Sequence, residues 1–170
     1  MGNKTVIKAG DVQRMSAGTG LTHSEFNLSD KPVHFYQIWI YPDESGLKPT
    51  YDQKNYKPVE WENKLYPVAS GQGISDTVTF HTDATIYRCS LNTGKSVTYK
   101  QTSERRIFVY LTSGQIAAND MALKSKDQAR IDIEEPLTLN AQEDSELILI
   151  DVPSCKGWGY SADTLKGRKK

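Results

Sequence analysis

The chain has 170 residues, with 21 Lys and Arg against 21 Asp and Glu, so its formal net charge at pH 7 is +0. A chain of this length builds one or two domains, and without a net positive field it is not expected to bind nucleic acid or an anionic membrane surface. Its longest apolar runs, 107–111 and 146–150, are strand-sized and far below the roughly 18 residues of a membrane-spanning helix.

The beginning of the sequence has no apolar signal region, and the two cysteines do not form a disulfide-scaffold composition. We therefore expect a cytoplasmic protein. Cys89 lies within an apolar strand pattern and is expected to be a small buried residue. Neither Cys89 nor Cys155 has a neighbouring His that would activate its thiol.

Short apolar runs with a period of two, separated by turn residues, recur along the chain, and no long stretch shows the 3.6-residue period of a helix. The sequence therefore predicts an all-β sandwich or barrel. In chain order the predicted strands are Thr5–Lys8, Val12–Ser16, Val33–Tyr41, Lys64–Ala69, Thr77–His81, Ala84–Leu91, Ser96–Lys100, Arg106–Thr112, Gln115–Ala118, Ala129–Ile133, Leu137–Leu139 and Glu146–Asp151.

The predicted strand Val33–Tyr41 is rich in aromatic residues. Because successive side chains of a strand alternate between its faces, Phe35 and Trp39 share one face and Tyr36 lies on the other. Apolar rings on both faces are typical of core packing rather than of a base-stacking platform. We expect this strand to be buried.

The polar segment between Tyr41 and Glu62 is interrupted by Pro and Gly, which is typical of a linker between two β units. Three aromatic rings are expected to fix this linker onto the next core: Tyr51, Tyr56 and Trp61. At the other end of the chain, basic residues predominate after the last predicted strand, which predicts a weakly ordered basic tail.

One segment carries residues with metal chemistry. The predicted strand Val12–Ser16 leads into a glycine-rich turn at 17–20, and the next strand is predicted to begin with His23 and Glu25. At positions i and i+2 these side chains share one face. Imidazole nitrogen and carboxylate oxygen suit Fe(II), Mn, Ni, Cu or Zn. Without further context, however, a His-x-Glu pair is more often a solvated carboxylate beside a satisfied histidine.

The stretch Met15-Ser-Ala-Gly-Thr-Gly-Leu-Thr-His23-Ser-Glu25 resembles the second cupin motif of the pirin family of bicupins. The resemblance continues through His34-Phe-Tyr-Gln-Ile-Trp39, Tyr51-Asp-Gln53, Tyr87-Arg88 and Glu104-Arg-Arg106 to Asp151-Val-Pro153. It implies the cupin fold, a double-stranded β-helix or jelly roll. It also implies that His23 and Glu25 hold a divalent metal, usually Fe(II) in the family, together with two histidines of an earlier His-x-His.

The resemblance is incomplete on the N-terminal side, because members of the family carry an upstream segment with the His-x-His motif. The histidines here are His23, His34 and His81, and no two are separated by one residue. With two ligands of four, the chain alone is expected to bind metal weakly or not at all, although His23 and Glu25 should still face the barrel interior. The chain is then a fragment, is completed by a partner chain, or has lost the site.

The expected domains are a partial N-terminal pirin cupin plus linker at 1–58, a complete C-terminal cupin at 59–153 and the basic tail at 154–170. The N-terminal cupin should have unpaired edges.

The C-terminal cupin is expected to be structural. The first cupin template, Gly-x5-His-x-His, falls on Gly94 and places Lys100, Gln101 and Thr102 where ligands would stand. A protonated lysine has no lone pair and repels a metal.

Two further polar groups are assigned structural roles. His81 and Asp83 lie at a predicted strand end, where a satisfied or solvated pair is favoured over a second metal site. Glu104, Arg105 and Arg106 are expected to form ion pairs rather than an anion site.

Three functions remain open. The resemblance implies a quercetin 2,3-dioxygenase-type oxidoreductase for flavonol-like phenols, whose metal acts as a Lewis acid, with catalysis by this chain doubtful because half of the ligands are absent. The second is a non-catalytic binding or regulatory cupin module, since pirin-like proteins are also linked to transcription cofactor roles. The third is a remnant whose C-terminal cupin mediates self-association into a homo-oligomer. An in-frame His-x-His upstream would favour the enzyme.

Overall fold

The computed structural model describes residues 2–100, 102, 104–132 and 135–154. The strands of this part of the chain are β1 (Asp11–Ser16), β2 (Thr50–Asn55), β3 (Tyr66–Ser70), β4 (Val78–Thr79), β5 (Thr85–Leu91), β6 (Ser96–Tyr99), β7 (Arg105–Ser113), β8 (Gln115–Ala118), β9 (Met121–Lys124), β10 (Gln128–Ile131), β11 (Leu137–Ala141) and β12 (Ser145–Pro153). A 3-10 turn at Pro58–Glu60 is the helical element of the described residues, and none of their helices could cross a membrane. The all-β prediction is confirmed.

The strands form three sheets. The largest has the order β10-β7-β12-β5-β3-β4, a second has the order β6-β11-β8-β9, and β1 pairs with β2 alone. Within the largest sheet β12 runs antiparallel to both β5 and β7. Such an arrangement of many non-local antiparallel pairs over two facing sheets is the jelly roll that the resemblance implied.

The main core lies between the six-stranded and four-stranded sheets. Alternate residues of β7 and β12 point into it, including Val109 and Leu149, and Ile116 of β8 and Leu139 of β11 meet them from the other sheet. All four side chains are fully buried. The period-two pattern therefore sorts apolar residues to one face, and their burial holds the two sheets together.

The outer face of the six-stranded sheet carries a second, smaller cluster formed by Tyr56, Trp61 and Val68. The Tyr56 hydroxyl donates a hydrogen bond of 2.7 Å to the carbonyl of Val68. The guanidinium of Arg88 lies 4.0 Å from the centre of the Trp61 ring. Tyr56 and Trp61 therefore fix the 42–62 segment to the sheet, as predicted, whereas Tyr51 lies on β2 and is half-buried.

Part of the predicted linker is a strand, which corrects the sequence analysis. Residues 50–55 form β2, which pairs antiparallel with β1 from Asp11 opposite Asn55 to Ser16 opposite Thr50. The polar composition of 50–55 hid this strand. The short strand β9 was also missed, since Leu123 is its only buried side chain among four described residues.

Two predicted strands, Thr5–Lys8 and Val33–Tyr41, are wrong as strands, because the described chain offers neither of them a paired neighbour. A strand needs a neighbour to bond its backbone groups. The expectation that the aromatic residues of 33–41 are buried is also wrong: Phe35 is 61% exposed and Trp39 is 81% exposed.

One of the two cysteines of the chain lies among the described residues. Cys89 is buried, as expected, and burial raises the pKa of its thiol to about 12. Apart from Ser154, the predicted basic tail lies outside the described residues, as does Cys155. The boundaries of the expected domains remain predictions.

Candidate functional site

A tight turn after β1 places the segment that carries the predicted metal ligands. Gly18 has a φ of +53°, and a Cβ atom there would lie 2.0 Å from the carbonyl oxygen of Leu47. The amide of Thr19 donates to that same oxygen at 3.0 Å, and the amide of Gly20 donates to Ala17 at 2.8 Å. Glycine is needed at position 18 because any side chain would collide with the 47–48 backbone, which the turn must approach to redirect the chain.

His23 and Glu25 follow this turn on a segment without regular secondary structure, and both are exposed. The expectation that they begin a strand and face a barrel interior is therefore wrong for the described structure. The physical reason is the one given for 33–41: the strands of the described residues do not pair with this segment, so they form no barrel wall that would hold its side chains inward.

The donor set is incomplete among the described residues. His23 and Glu25 offer one imidazole and one carboxylate, and no group of three or more His, Cys, Asp or Glu side chains in the described ranges lies close enough to hold a metal ion. A four-ligand metal site does not fit the described residues alone.

The other two histidines, His34 and His81, belong to no group of potential metal ligands among the described residues. The ring of His34 packs edge-on against Tyr36, with 4.9 Å between ring centres. His81 is exposed, and its carbonyl accepts a hydrogen bond from the amide of Asp43 at 2.9 Å. Asp83 is engaged by Arg105 at 2.6 Å, which confirms the structural interpretation of that carboxylate.

In the C-terminal cupin, the positions where the first cupin template carries metal ligands lie at the protein surface where they are described. Lys100 and Thr102 are exposed, and Gln101 lies outside the described residues. Behind them the space between the two sheets is filled by the apolar core, including Leu111 and Leu137.

A buried polar network at one end of this core was missed by the sequence analysis. The guanidinium of Arg105 donates from Nε to Asp151 at 2.6 Å, and the hydroxyl of Tyr99 also donates to Asp151. The side chains of Arg105 and Asp151 are only 9% and 6% exposed. Burial, and then the hydrogen bond to Asp151, raise the pKa of Tyr99 well above its usual range. The phenol therefore stays protonated and remains a donor.

The network continues from Arg105 to the neighbouring strands. Gln72 donates to Asp83 at 2.7 Å, and this hydrogen bond, with the charge of Arg105, holds the pKa of Asp83 below its usual range although burial opposes it. The hydroxyl of Thr85 donates to Gln72 at 2.8 Å. These contacts connect β12, β7 and β5 of the six-stranded sheet to β6 of the four-stranded sheet. The network therefore helps to hold the two sheets together at this end of the core.

The ion-pair interpretation is confirmed for two of its three residues. Arg105 bonds Asp151 and Asp83, and Arg106 bonds Asp132 at 2.6 Å. The signal that could have found the network is the position of Asp151, which follows Leu147 and Leu149 on the inward face of β12. A carboxylate in that register needs a buried partner.

Both halves of the chain match known protein families. A family described as "Quercetinase C-terminal cupin domain" matches residues 67–152, and one described as "Pirin" matches residues 1–40. The second match includes His23 and Glu25.

Individual relatives extend over most of the chain. It is 34% identical over 154 residues to a quercetin 2,3-dioxygenase of Escherichia coli strain K12, and 35% identical over 152 residues to a pirin-like protein of Caulobacter vibrioides. These alignments cover 90% of this chain and 65% of the first protein, and 89% of this chain and 66% of the second. The chain therefore spans just under two thirds of the length of these relatives.

Solved structures agree with this assignment. The crystal structure of bacterial pirin YhhW from Escherichia coli in complex with nickel(II) superimposes with a TM-score of 0.83 at 33% identity. The superposition covers 90% of this chain and 66% of that chain. At this identity and coverage the likeness extends beyond a shared fold.

Proposed function

Because the chain belongs to the pirin family of cupin proteins, we propose that it forms part of a metal-dependent oxidoreductase of the quercetin 2,3-dioxygenase type. Its substrate on this proposal is a flavonol-like phenol. The observation that carries the proposal is the match of residues 1–40 to the pirin family, since this match contains the His23 and Glu25 pair. A nickel(II) complex of a relative at 33% identity supports a divalent metal in the family.

On this proposal His23 supplies a neutral imidazole nitrogen and Glu25 a carboxylate oxygen, which are two of the ligands. The remaining ligands come from polypeptide beyond the described residues, and by the family pattern from an upstream His-x-His. We propose Fe(II) as the physiological metal. We also propose that the protein is located in the cytoplasm. The C-terminal cupin acts as a support rather than as a second metal site, because its interior is an apolar core.

The test compares the 170-residue chain with an extended chain that carries an upstream His-x-His segment. Each is incubated with Fe(II), Mn(II) or Ni(II), dialysed, analysed for bound metal, and assayed for oxygen uptake with quercetin. We expect substoichiometric metal and little oxidation for the shorter chain, with a melting temperature that a chelator does not change. The extended chain should bind one metal and oxidise quercetin.

Matched histidine variants of the extended chain assign the ligand. His23→Ala should abolish both metal binding and oxygen uptake, whereas His34→Ala, on the same exposed segment, should leave metal binding unchanged. An extended chain indifferent to His23→Ala overturns the ligand assignment, and tight one-to-one metal in the shorter chain overturns the incomplete site. An extended chain that binds metal without oxidising any flavonol would favour the non-catalytic binding module.

A further inference from the structure

The segment 33–41 has the side-chain alternation of a strand although it is paired with none in the described structure. Its even-numbered side chains turn toward the outer face of the six-stranded sheet: the Tyr36 ring lies edge-on to Tyr110, with 5.5 Å between ring centres, and Ile38 shares a groove with Phe108. Tyr36 and Ile38 are each 41% exposed, against 61% for Phe35. One face of the segment therefore rests on the sheet, and the other faces solvent.

The backbone of this segment is available for pairing. Among the described residues, no backbone-to-backbone hydrogen bond joins 33–41 to another segment, and the nearest contacts are at its end. There Thr82 donates from its hydroxyl to the carbonyl of Tyr41 at 2.7 Å, and the amide of Asp43 bonds His81. An extended segment with free N–H and C=O groups is a template for another strand.

The exposed face of the segment is a large apolar patch. Trp39 is 81% exposed and Tyr41 is 87% exposed. Since an aromatic side chain offers roughly 150–250 Å², the three outward rings of Phe35, Trp39 and Tyr41 present about 450 Å². That area lies in the middle of the range, roughly 300–600 Å², covered by the largest apolar patch on a typical monomer, and such patches often mark interaction sites.

The sequence of the segment is complementary to itself. It contains no Asp, Glu, Lys or Arg, and it is bounded by Pro32 and Pro42, which have no amide hydrogen. If two copies run antiparallel with Gln37 opposite Gln37, Phe35 lies opposite Trp39. Val33 then lies opposite Tyr41, so the outward pairs on either side of the centre are apolar. The central pair of Gln37 side chains is polar but neutral, and no like charges meet. The prolines lie opposite each other and end the ladder on both sides.

We propose that residues 33–41 pair antiparallel with the same segment of a second copy of this chain, forming a two-fold symmetric dimer by strand addition. The pairing satisfies the backbone groups along one edge of the segment and places aromatic rings side by side across the strands, where such pairs are favourable. Only part of the apolar area is covered, so the dimer is a weak one. The proposal does not depend on the metal or the oxidation proposed above.

A cysteine cross-link tests the register. In a Cys155→Ser background, Gln37→Cys places two thiols directly opposite, with Cα atoms about 4.5–5.5 Å apart, within disulfide range. Val33→Cys is the control, because its two copies would be about 27 Å apart along the ladder. Under mild oxidation we expect a covalent dimer at least tenfold more abundant for Gln37→Cys. Equal cross-linking of the two variants overturns the proposed register.

Light scattering across roughly 1–200 µM chain, the range of a weak interface, tests the dimer itself. Phe35→Ser and Trp39→Ser should weaken dimerisation at least tenfold, and Phe26→Ser, which removes an aromatic ring that is 79% exposed outside the segment, should leave it unchanged. Circular dichroism checks that each variant retains the β spectrum. A chain that stays monomeric throughout the range, or an equal loss in Phe26→Ser, overturns the proposal. If the chain is a monomer, a strand of another polypeptide becomes the alternative partner for the segment.

Discussion

Residues 33–41 and β7 have the same alternating apolar pattern, yet they have opposite fates. β7 is paired on one side with β10 and on the other with β12, and its inward residues Ile107, Val109 and Leu111 are all 0% exposed. The segment 33–41 has no paired strand in the described structure, and the rings of Phe35, Trp39 and Tyr41 face solvent. The pattern determines which side chains can share a face, whereas neighbouring strands determine whether that face is buried.

The same contrast separates the two regions of the chain. Among the described residues, the buried apolar side chains all lie at or after Tyr56, while most of the exposed large apolar side chains lie between Val6 and Tyr41. Since apolar burial stabilises by roughly 25 cal/mol per Å², the free energy of unfolding is expected to reside in the C-terminal sandwich. The N-terminal region should tolerate substitution.

The largest expected effect tests this division with two matched leucine variants. Leu149 of β12 is 0% exposed, and Leu28 is 94% exposed. Leu149→Ala should lower the free energy of unfolding by roughly 3–5 kcal/mol, because it removes buried methyl groups and leaves a cavity. Leu28→Ala should change it by less than about 0.5 kcal/mol. Urea denaturation followed by circular dichroism measures both.

A substantial loss for Leu28→Ala would break the comparison, since it would show that the N-terminal region is docked on the sandwich. A small loss for Leu149→Ala would show that the core is loosely packed around β12.

The next effect concerns the buried network. Asp151→Ala should lower the free energy of unfolding by about 3 kcal/mol, because it leaves Arg105 and Tyr99 without their buried acceptor. Asp83→Asn is the control: its side chain is 58% exposed, so its contact with Arg105 is worth about 1 kcal/mol or less. Thermal denaturation at neutral pH compares the two. Equal losses would mean that the exposed end of the network, rather than its buried end, holds the sandwich together.

The sequence predicted the C-terminal strands well because their apolar alternation is enforced by two-sided pairing. β8 was predicted with its observed bounds, and β7 and β12 to within two residues at each end. The sequence-based prediction failed for β2, a strand that is held by hydrogen bonds between polar side chains. β2 has no apolar alternation, and Gln53 bonds Asp11 of β1 at 2.7 Å. Such contacts depend on pairing and leave no periodic signal.

The candidate site was only partly accessible to sequence reasoning. The resemblance singled out His23 and Glu25, and the glycine turn that precedes them is observed. Their orientation could not be predicted, because it depends on strands that the described residues do not contain. The Asp151 network was missed because its members are distant in sequence, as with Gln72 and Asp151, and only the folded sheets bring them together.

The smallest effect concerns the residue that joins the two regions. Tyr56 follows β2 and is buried on the outer face of the six-stranded sheet, where burial raises its pKa to about 12. An unfolded tyrosine has a pKa of about 10. The folded chain therefore keeps the phenol proton where the unfolded chain loses it, so this contribution to stability is complete below about pH 10 and is lost as the pH rises toward 12.

Tyr56→Phe separates this contribution from the rest of the core. At neutral pH the variant should lose about 1 kcal/mol, because the hydrogen bond to the carbonyl of Val68 is removed. Between pH 9 and pH 12 it should lose less stability than the original chain, since two pKa units correspond to roughly 2.7 kcal/mol. Tyr41→Phe, at a ring that is 87% exposed, should follow the original chain throughout. Melting temperatures measured across this pH range test the prediction. If Tyr56→Phe loses as much stability at alkaline pH as the original chain, the ionisation of Tyr56 does not cause that loss, and another group is responsible for it.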